Sequence, residues 1–510
     1  MTRWFIDRVP ESGIPSVSLR RLLPEARFLG REDFQVSGCA ADSRRLEPGQ
    51  VFVALRGSRF DGHVFVEEAL RRGAAGVVVD TPCAEAGTLQ VVVPDTRVAH
   101  ARICHALAGE PSRRMEVVGV TGGRGRRGAS ALLRAIFEAD GRRCGSIGET
   151  GWSDGVDERP AGAANPTPSA LALMLAAAVE RKARACVVEA SDVAMKRRGL
   201  EAVALRALVV PEILPFSPHR RLVEQILEKR RHLSRLARQV TPGGAVVVNA
   251  DDPHAELLGA VNLDARRVAF GFEKPADVSG RIERLDARGA RLIVRGFERE
   301  IAVELGLVGR RAAGWALAAA ATAWACGVRA RSVVEGLESV RTLSGRLEPA
   351  VPVEHQDAEV VAFIDDACDA DELAEALADV RAAGARRLVC VLGSEGNTGV
   401  ARRRRLAEAA EEGADVVLLT TDNPRGEDPN VIFDNLLAGM RRPGRARLVP
   451  DRKLAIEQAV ALARAGDVVV VAGKGRRAVQ IYDNHAVNFD DRAAAARAVR
   501  EAREKSRRAG

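Results

Sequence analysis

Short, unbroken apolar runs alternate along the chain with longer segments whose apolar residues recur every three or four positions. The runs include "GVVVD" (76–80), "ACVVEA" (185–190), "GAVVVNA" (244–250), "RLVCVLG" (387–393), "ADVVLLT" (414–420) and "GDVVVVAG" (466–473). Runs apolar at nearly every position predict strands buried on both faces, as in parallel sheets. Segments such as "DELAEALADVRAAG" (371–384) predict amphipathic helices between them. The alternation predicts an α/β chain with doubly wound sheets and no fixed-period repeat. A compact α/β unit from about residue 30 closes with "TRVAHARICHALAG" (96–109). A second break falls near "VRTLSGRLEP" (340–349), after the Ala-rich "AAGWALAAAATAWACGV" (312–328). At 510 residues the chain is too long for one core. Three domains are expected, at about 1–113, 114–342 and 343–510.

One junction carries chemistry. "GVTGGRGRRGAS" (119–130) follows an apolar run, Met115 to Val120, and precedes the helical pattern "ALLRAIFEADG". Strand, Gly-rich turn and helix form a phosphate cradle, because a helix N-terminus offers free N–H groups and partial positive charge. Nucleotide loops add a Lys for the phosphates and a hydroxyl for Mg²⁺. Here Arg126 and Arg127 hold those places. Glu189, at the end of "CVVEAS", would point into the ligand crevice of a parallel sheet. It could hold Mg²⁺ opposite the loop, or be a solvated strand-end carboxylate.

Composition narrows the classes. Hydrophobic content of 46% and charged content of 29% fit a soluble globular protein. No apolar stretch reaches the roughly 18 residues of a membrane-spanning helix. "MTRWFIDRVPESG" lacks the apolar core of a signal peptide, so the expected location is cytoplasmic. The net charge of +8 is carried mostly by Arg. Its densest clusters, "ARRRRLAEAA" and "REAREKSRRAG", have helical spacing, which favours solvated helix faces over a nucleic-acid surface. The eight Cys lack C-x-x-C pairs and read as reduced, mostly buried residues, with no metal site expected among them.

Several stretches together resemble the Mur ligases, the ATP-dependent amide ligases of peptidoglycan precursors, and within them the MurE branch. That branch adds the third residue, usually a diamino acid, to UDP-MurNAc-L-Ala-D-Glu. "ADSRRLEPGQVFVALRGSRFDGHVFVEEALRRGA" is similar to the family's uridine-binding domain. "SIGETGW", "NPTP", "VVEAS" and "VVNADDP" are similar to its central ATPase domain. "SGRLE", "FIDDA", "TTDNPRGEDPNVIF", "AGKG" and "FDDR" are similar to its Rossmann-like C-terminal domain. The resemblance implies that ATP phosphorylates a carboxylate of the UDP-linked peptide and an amine then attacks the acyl phosphate. Positioning and charge stabilisation supply most of that catalysis.

The resemblance also assigns residues. Glu189 matches the metal-holding Glu, and Lys229 falls near the Lys that is carbamylated in the family. Arg346 and Asp365 match residues that help hold the nucleotide. Asp42, Ser43 and Arg44, with Asp61, Gly62 and His63, match the uridine signature. Thr167 and Ser191 match UDP-peptide contacts. Asp422, Asn423 and Arg425 match the motif that reads diaminopimelate.

Departures cluster around the nucleotide. The family's T-G-T-N-G-K-T keeps Gly122 and Gly125 here but has Arg126 and Arg127 for Lys and Thr. Glu212, Phe216 and Ser217 replace an Asn, an Asp and a His. Ala312 and Trp315 replace two Asn, and Cys368 replaces a His. Asp192 replaces a Ser beside Ser191, and Pro166 a Thr beside Thr167. At the amino-acid site Thr398 replaces an Arg, while Arg476 and Arg477 stand where the family ends G-K-G-H-E with a Glu. A cation facing an ammonium is repulsive by about 1 to 4 kcal/mol, which disfavours diaminopimelate.

The leading reading is therefore a Mur-ligase-fold pseudoenzyme of peptidoglycan synthesis. It would bind a UDP-MurNAc peptide, a related UDP sugar or another peptidoglycan-synthesis protein, with ATP and Mg²⁺ bound weakly or not at all. The alternative is a divergent active ligase using Arg126. Neither membrane nor nucleic acid is expected as a partner. Two further expectations concern the loop: residues 119–137 keep strand, turn and helix, and the Arg-flanked helix start can hold an anion.

Overall fold

A computed structural model describes residues 16–509 apart from 58–59, 85–88, 124, 161–165, 214–221, 259–263 and 354–359. Arg124, Phe216 and Ser217 thus lie outside the described residues. The chain divides into two compact units: Met1–Ile213, Arg221–Ala269 and Ala321–Arg329 form one, and Leu214–Arg220, Phe270–Ala320 and Ala330–Gly510 the other. Among the described residues, no helix is long and apolar enough to cross a membrane.

The first unit opens with a five-stranded sheet of Arg27–Leu29 (β1), Cys39–Ala40 (β2), Val51–Val53 (β3), Gly76–Val79 (β4) and Gln90–Val92 (β5), in the order β1-β5-β4-β3-β2. The inner strands β3 and β4 are buried at every position because both faces are covered. Val51, Val53 and Val78 enter one cluster with Leu19, Ala99 and Ile103, the last two from helix Thr96–Leu107 (α1). Phe52, Val77 and Val79 enter the other, with Val66 and Ala69.

The same unit holds Glu116–Thr121 (β6), Cys144–Gly148 (β7), Gly151–Ser153 (β8), Glu158–Pro160 (β9), Ala185–Ala190 (β10), Leu205–Val210 (β11), Val240–Asn249 (β12) and all but the last two residues of Arg266–Gly271 (β13). They run in the order β9-β8-β7-β10-β6-β11-β12-β13, parallel from β7 through β12 with an antiparallel hairpin at one edge. Gly125–Ala139 (α2) follows β6, so strand, turn and helix persist over 119–137.

In the second unit, Val278–Asp286 (β14), Gly289–Arg295 (β15) and Ile301–Leu305 (β16) form antiparallel pairs. Glu348–Pro349 (β17), Val361–Asp365 (β18), Leu388–Leu392 (β19), Val416–Leu419 (β20), Arg447–Leu448 (β21) and Val468–Ala472 (β22) form a sheet ordered β17-β18-β22-β19-β20-β21. Val470 and Phe363 face helices Ala370–Ala382 (α3) and Val400–Gly413 (α4). Val469, Val471 and Ile364 face helices Arg452–Leu462 (α5) and Asp491–Ala509 (α6). Helices thus cover both faces of this sheet, the expected doubly wound arrangement.

One expectation from composition is corrected. Cys39 on β2 and His100 and Cys104 on α1 converge, with both sulfurs and one imidazole nitrogen within 4.8 Å of one another. Residues 61 apart in sequence meet because α1 packs along the sheet edge that β2 forms.

Candidate functional site

Parallel pairing builds the first cluster. β10 and β6 are in register with Glu189 beside Val120 and Ala190 beside Thr121, so Glu189 and the Gly-rich turn emerge at the same sheet edge. Gly122 has φ +102°, and a methyl there would collide with the Glu212 carbonyl. Only glycine takes this path without strain.

Arg126, in the first turn of α2, sends its guanidinium inward. Nε lies 3.3 Å from Glu189 Oε2, Nη1 is 3.3 Å from the Gly122 carbonyl, and Nη2 donates to Glu149 Oε1. Glu189 Oε2 also accepts from the Glu149 N–H at 3.4 Å. The Arg126 and Glu189 side chains are 12% and 7% exposed, so this is a nearly dry ion pair. Burial pushes the Glu189 carboxyl up, against the pull of Arg126. Of the two Arg residues that stand where the loop would carry Lys and a hydroxyl, Arg126 is the one that reaches Glu189.

Glu212 closes the loop from the other side. Its carbonyl accepts the Gly123 N–H at 3.0 Å. A methyl on Gly123 would meet Glu212 Oε2 at 2.5 Å, so the carboxylate lies against the turn. One cradle N–H is thus occupied, and Arg126, one of the Arg residues expected to flank an anion, is committed to carboxylates.

Lys229, only 6% exposed, donates Nζ to Asp192 Oδ1. Asp192 is the residue that departs from the family's second Ser. Ser191 and Thr167 act as helix caps: their hydroxyls accept from Ala194 N at 3.0 Å and Ala170 N at 3.3 Å.

The uridine signature forms two short capped turns. Asp42 caps Ser43–Arg45 and Asp61 caps Gly62–Phe65. Both turns pack on helix Val66–Arg71. Ser43 is buried and its hydroxyl donates to Glu68 Oε2 at 3.1 Å, so it is turned inward and not toward a ligand. Arg44 is 78% exposed and pairs with Asp42 at 2.8 Å. His63 bonds Asp61 Oδ1 at 2.6 Å through Nδ1 and accepts the Asp80 N–H at 3.3 Å through Nε2. Arg56 beside Asp80 holds that carboxyl at about 2. Phe60 and Val64 are each 71% exposed, and Phe65 is also exposed. Sequence reading missed this apolar rim.

In the second unit, Ala312 and Trp315 line a cavity of about 10 Å³ with Arg311, Arg346 and Asp365. Ligand clefts run to hundreds of Å³, on the order of 300 or more. Arg311 donates Nε to Asp379 Oδ2 at 2.6 Å and Nη1 to Glu375 Oε2 at 3.1 Å. Arg346 pairs with Asp366 at 2.8 Å. Asp365 is buried and accepts from Leu347 N and Ala367 N, each at 2.9 Å. Cys368 lies near Arg402 and Glu372.

The amino-acid motif is compact. Asn423 donates to Glu395 at 3.3 Å and accepts from Ile481 N at 2.8 Å. Arg425 Nη2 lies 3.6 Å from Glu395. Arg477 binds Glu395 and lies 3.6 Å from Asp422. Burial raises the Asp422 carboxyl, and its Oδ1 has no hydrogen-bond partner. Gly396 N–H bonds the Asn423 carbonyl at 2.8 Å, and a methyl at Gly396 would strike Pro424.

Sequence reading also missed Arg403. It is 1% exposed and donates to Thr398 Oγ1 at 3.1 Å, the Glu395 carbonyl at 3.1 Å and Glu427 at 2.6 Å twice. Those bonds hold the Glu427 carboxyl below its ordinary range. The stability this adds is complete above the unfolded value of about 4.3 and is lost as pH falls through the folded value. Urea unfolding should show Glu427→Gln costing more at pH 7 than at pH 3. An equal cost at both would contradict the assignment.

The chain matches the Mur ligase family catalytic domain over residues 35–107, the Mur ligase middle domain over 120–323 and the Mur ligase glutamate ligase domain over 345–475. It is 30% identical over 479 residues to the UDP-N-acetylmuramoyl-L-alanyl-D-glutamate–2,6-diaminopimelate ligase of Syntrophomonas wolfei, covering 92% of this chain and 96% of that one. It is 32% identical over 469 residues to the enzyme of the same name from Geobacillus kaustophilus, covering 90% and 94%. A solved structure of a ligase of that name superimposes with a TM-score of 0.70 at 24% identity, covering 96% of this chain and all of that one, a likeness of fold.

Proposed function

From the premise that the chain belongs to the Mur ligase family, with MurE-type relatives over most of its length, we propose that it binds a UDP-linked muramyl peptide without ATP-driven ligation. The observation that carries this is the Arg126 guanidinium lodged between Glu189 and Glu149. A fixed monocation occupies the carboxylate that would hold Mg²⁺, and the loop offers neither Lys nor hydroxyl in exchange. Charge stabilisation is most of phosphoryl-transfer catalysis, so its loss removes most of the rate. The Asp192–Lys229 pair and the filled space around Trp315 support the same reading.

Ligand capture is supported by the N-terminal rim. Exposed Phe60 offers a face on which a uracil ring can stack, and Arg44 offers a charge-assisted donor for a diphosphate. On this reading domains end near residues 113 and 342, the protein works in the cytoplasm, and Arg477 disfavours diaminopimelate as co-substrate.

Calorimetry tests both halves on one preparation. UDP-MurNAc-L-Ala-D-Glu should give a binding isotherm, and ATP with Mg²⁺ should give none at millimolar concentration. Phosphate release from ATP, stimulated by the UDP-peptide, would overturn the first half. Arg44→Ala should weaken UDP-peptide binding about tenfold or more, the value of one charge-assisted contact, while leaving the unfolding midpoint within a few degrees. Absence of heat with every UDP-linked muramyl species would overturn the second half. An active ligase is the second reading, favoured by identity near 30% to ligases over about nine-tenths of the chain.

A further inference from the structure

We propose that Cys39, His100 and Cys104 form a binding site for one soft divalent cation, with Zn²⁺ as the probe. His100 and Cys104 are four residues apart on α1, a spacing that places both on one helix face. Cys39 reaches them from β2. The two sulfurs are 3.6 Å apart, and both lie within 4.8 Å of an imidazole nitrogen. Two Zn–S bonds of about 2.3 Å at a tetrahedral angle separate their sulfurs by roughly 3.8 Å. A disulfide would need about 2.05 Å. The spacing is that of a shared ion and not of a covalent bridge.

His100 gives the second observation. It is 5% exposed and its Nδ1 has no hydrogen-bond partner. A buried polar nitrogen left unsatisfied is costly. The two thiols near the imidazole are weak hydrogen-bonding groups. A cation bound to the cluster employs donors that otherwise do little.

The donor set selects the ion class. Two sulfurs and an imidazole suit Zn²⁺ and similar soft ions, and no carboxylate belongs to the cluster to suit Mg²⁺ or Ca²⁺. Binding converts both thiols to thiolates and releases two protons to solvent. The loaded cluster of a dication, two thiolates and a neutral imidazole carries no net charge, which suits the neighbouring apolar core of Leu19, Val53 and Ile103. Cys39 is only partly buried, leaving a side for a fourth ligand such as water. Cys39 lies three residues before the Asp42 cap, so an ion here would fasten the strand leading into that turn to α1.

The full chain, stripped with chelator under reducing conditions, is titrated with Co²⁺ and with Zn²⁺. The expected result is about one ion per chain, a thiolate-to-Co²⁺ charge-transfer band, and visible bands of tetrahedral intensity that Zn²⁺ abolishes. Cys39→Ser with Cys104→Ser should lose the band and the stoichiometric ion. If that variant unfolds, alkylation of the unmodified protein decides: Zn²⁺ should protect Cys39 and Cys104 at least tenfold while the exposed Cys368 reacts as before. The proposal is overturned if no thiolate band forms, if the double variant keeps the ion, or if Zn²⁺ leaves the alkylation of both cysteines unchanged.

Discussion

Asp491→Asn is expected to destabilise the unit that carries it by about 3–5 kcal/mol, the cost of removing one partner of a buried ion pair. Asp491 opens α6 and Arg452 opens α5, and their side chains are 0% and 1% exposed. Arg452 donates Nε and Nη2 to the two carboxylate oxygens at 2.7 Å each. It also donates to the Ala472 carbonyl at 3.1 Å and the Thr421 carbonyl at 3.3 Å. The amide of Asn cannot neutralise the guanidinium, and water cannot reach it. Replacing both partners with apolar residues, Arg452→Met with Asp491→Leu, should recover most of the loss, because no charge then remains to desolvate. Urea unfolding of the three proteins reads this directly. A single-variant cost below about 1 kcal/mol, typical of exposed pairs, would refute the account.

Arg126→Met has the second large effect expected, and it concerns function. Removing the guanidinium leaves Glu189 and Glu149 facing each other with no cation between them, Glu189 being almost dry. The loss should be about 3 kcal/mol, at the low end for a buried pair because Glu149 is 35% exposed. If Arg126 stands where a metal stood, a divalent cation should substitute for it. Millimolar Mn²⁺ or Mg²⁺ should raise the variant's thermal midpoint by several degrees and leave the unmodified protein unchanged. Equal response of the two proteins to the cation would show that Arg126 does not occupy a cation position. Restoring only Arg126→Lys and Arg127→Thr should still leave ATP turnover at background, because Glu212 continues to press its carboxylate against Gly123.

The strands legible in the sequence are those covered on two faces, such as Val468–Ala472, where every position is apolar. The antiparallel strands β14 to β16 escaped because they bury one face. In "GARLIVR", Ala290, Leu292 and Val294 are buried while Arg291 and Arg295 are exposed. That period of two was the available signal. Buried cations were concealed in a similar way. Arg403 sits in "ARRRRLAEAA", which reads as a solvated face, and its neighbours Arg402 and Arg404 are indeed exposed. Nothing local distinguishes the one that turns inward to Glu427.

At the candidate site, the glycine turn and Glu189 were legible because each belongs to a contiguous pattern. The partners of Arg126 were not, because Glu149 and Glu189 come from separate segments that strand pairing brings together. The same holds for Cys39 with His100 and Cys104, whose meeting depends on which strand forms the sheet edge.

The Glu212 carbonyl that accepts the Gly123 N–H bears on inhibitor selectivity. A phosphate mimic aimed at the nucleotide loop of an active ligase must break this internal bond before it can engage the Gly123 N–H here. Such compounds should pass this protein by, and its abundance should not blunt their potency in a cell. Mimics of the UDP-linked peptide would, on the function proposed, be sequestered by it, so that their measured potency against a working ligase falls as the amount of this protein rises.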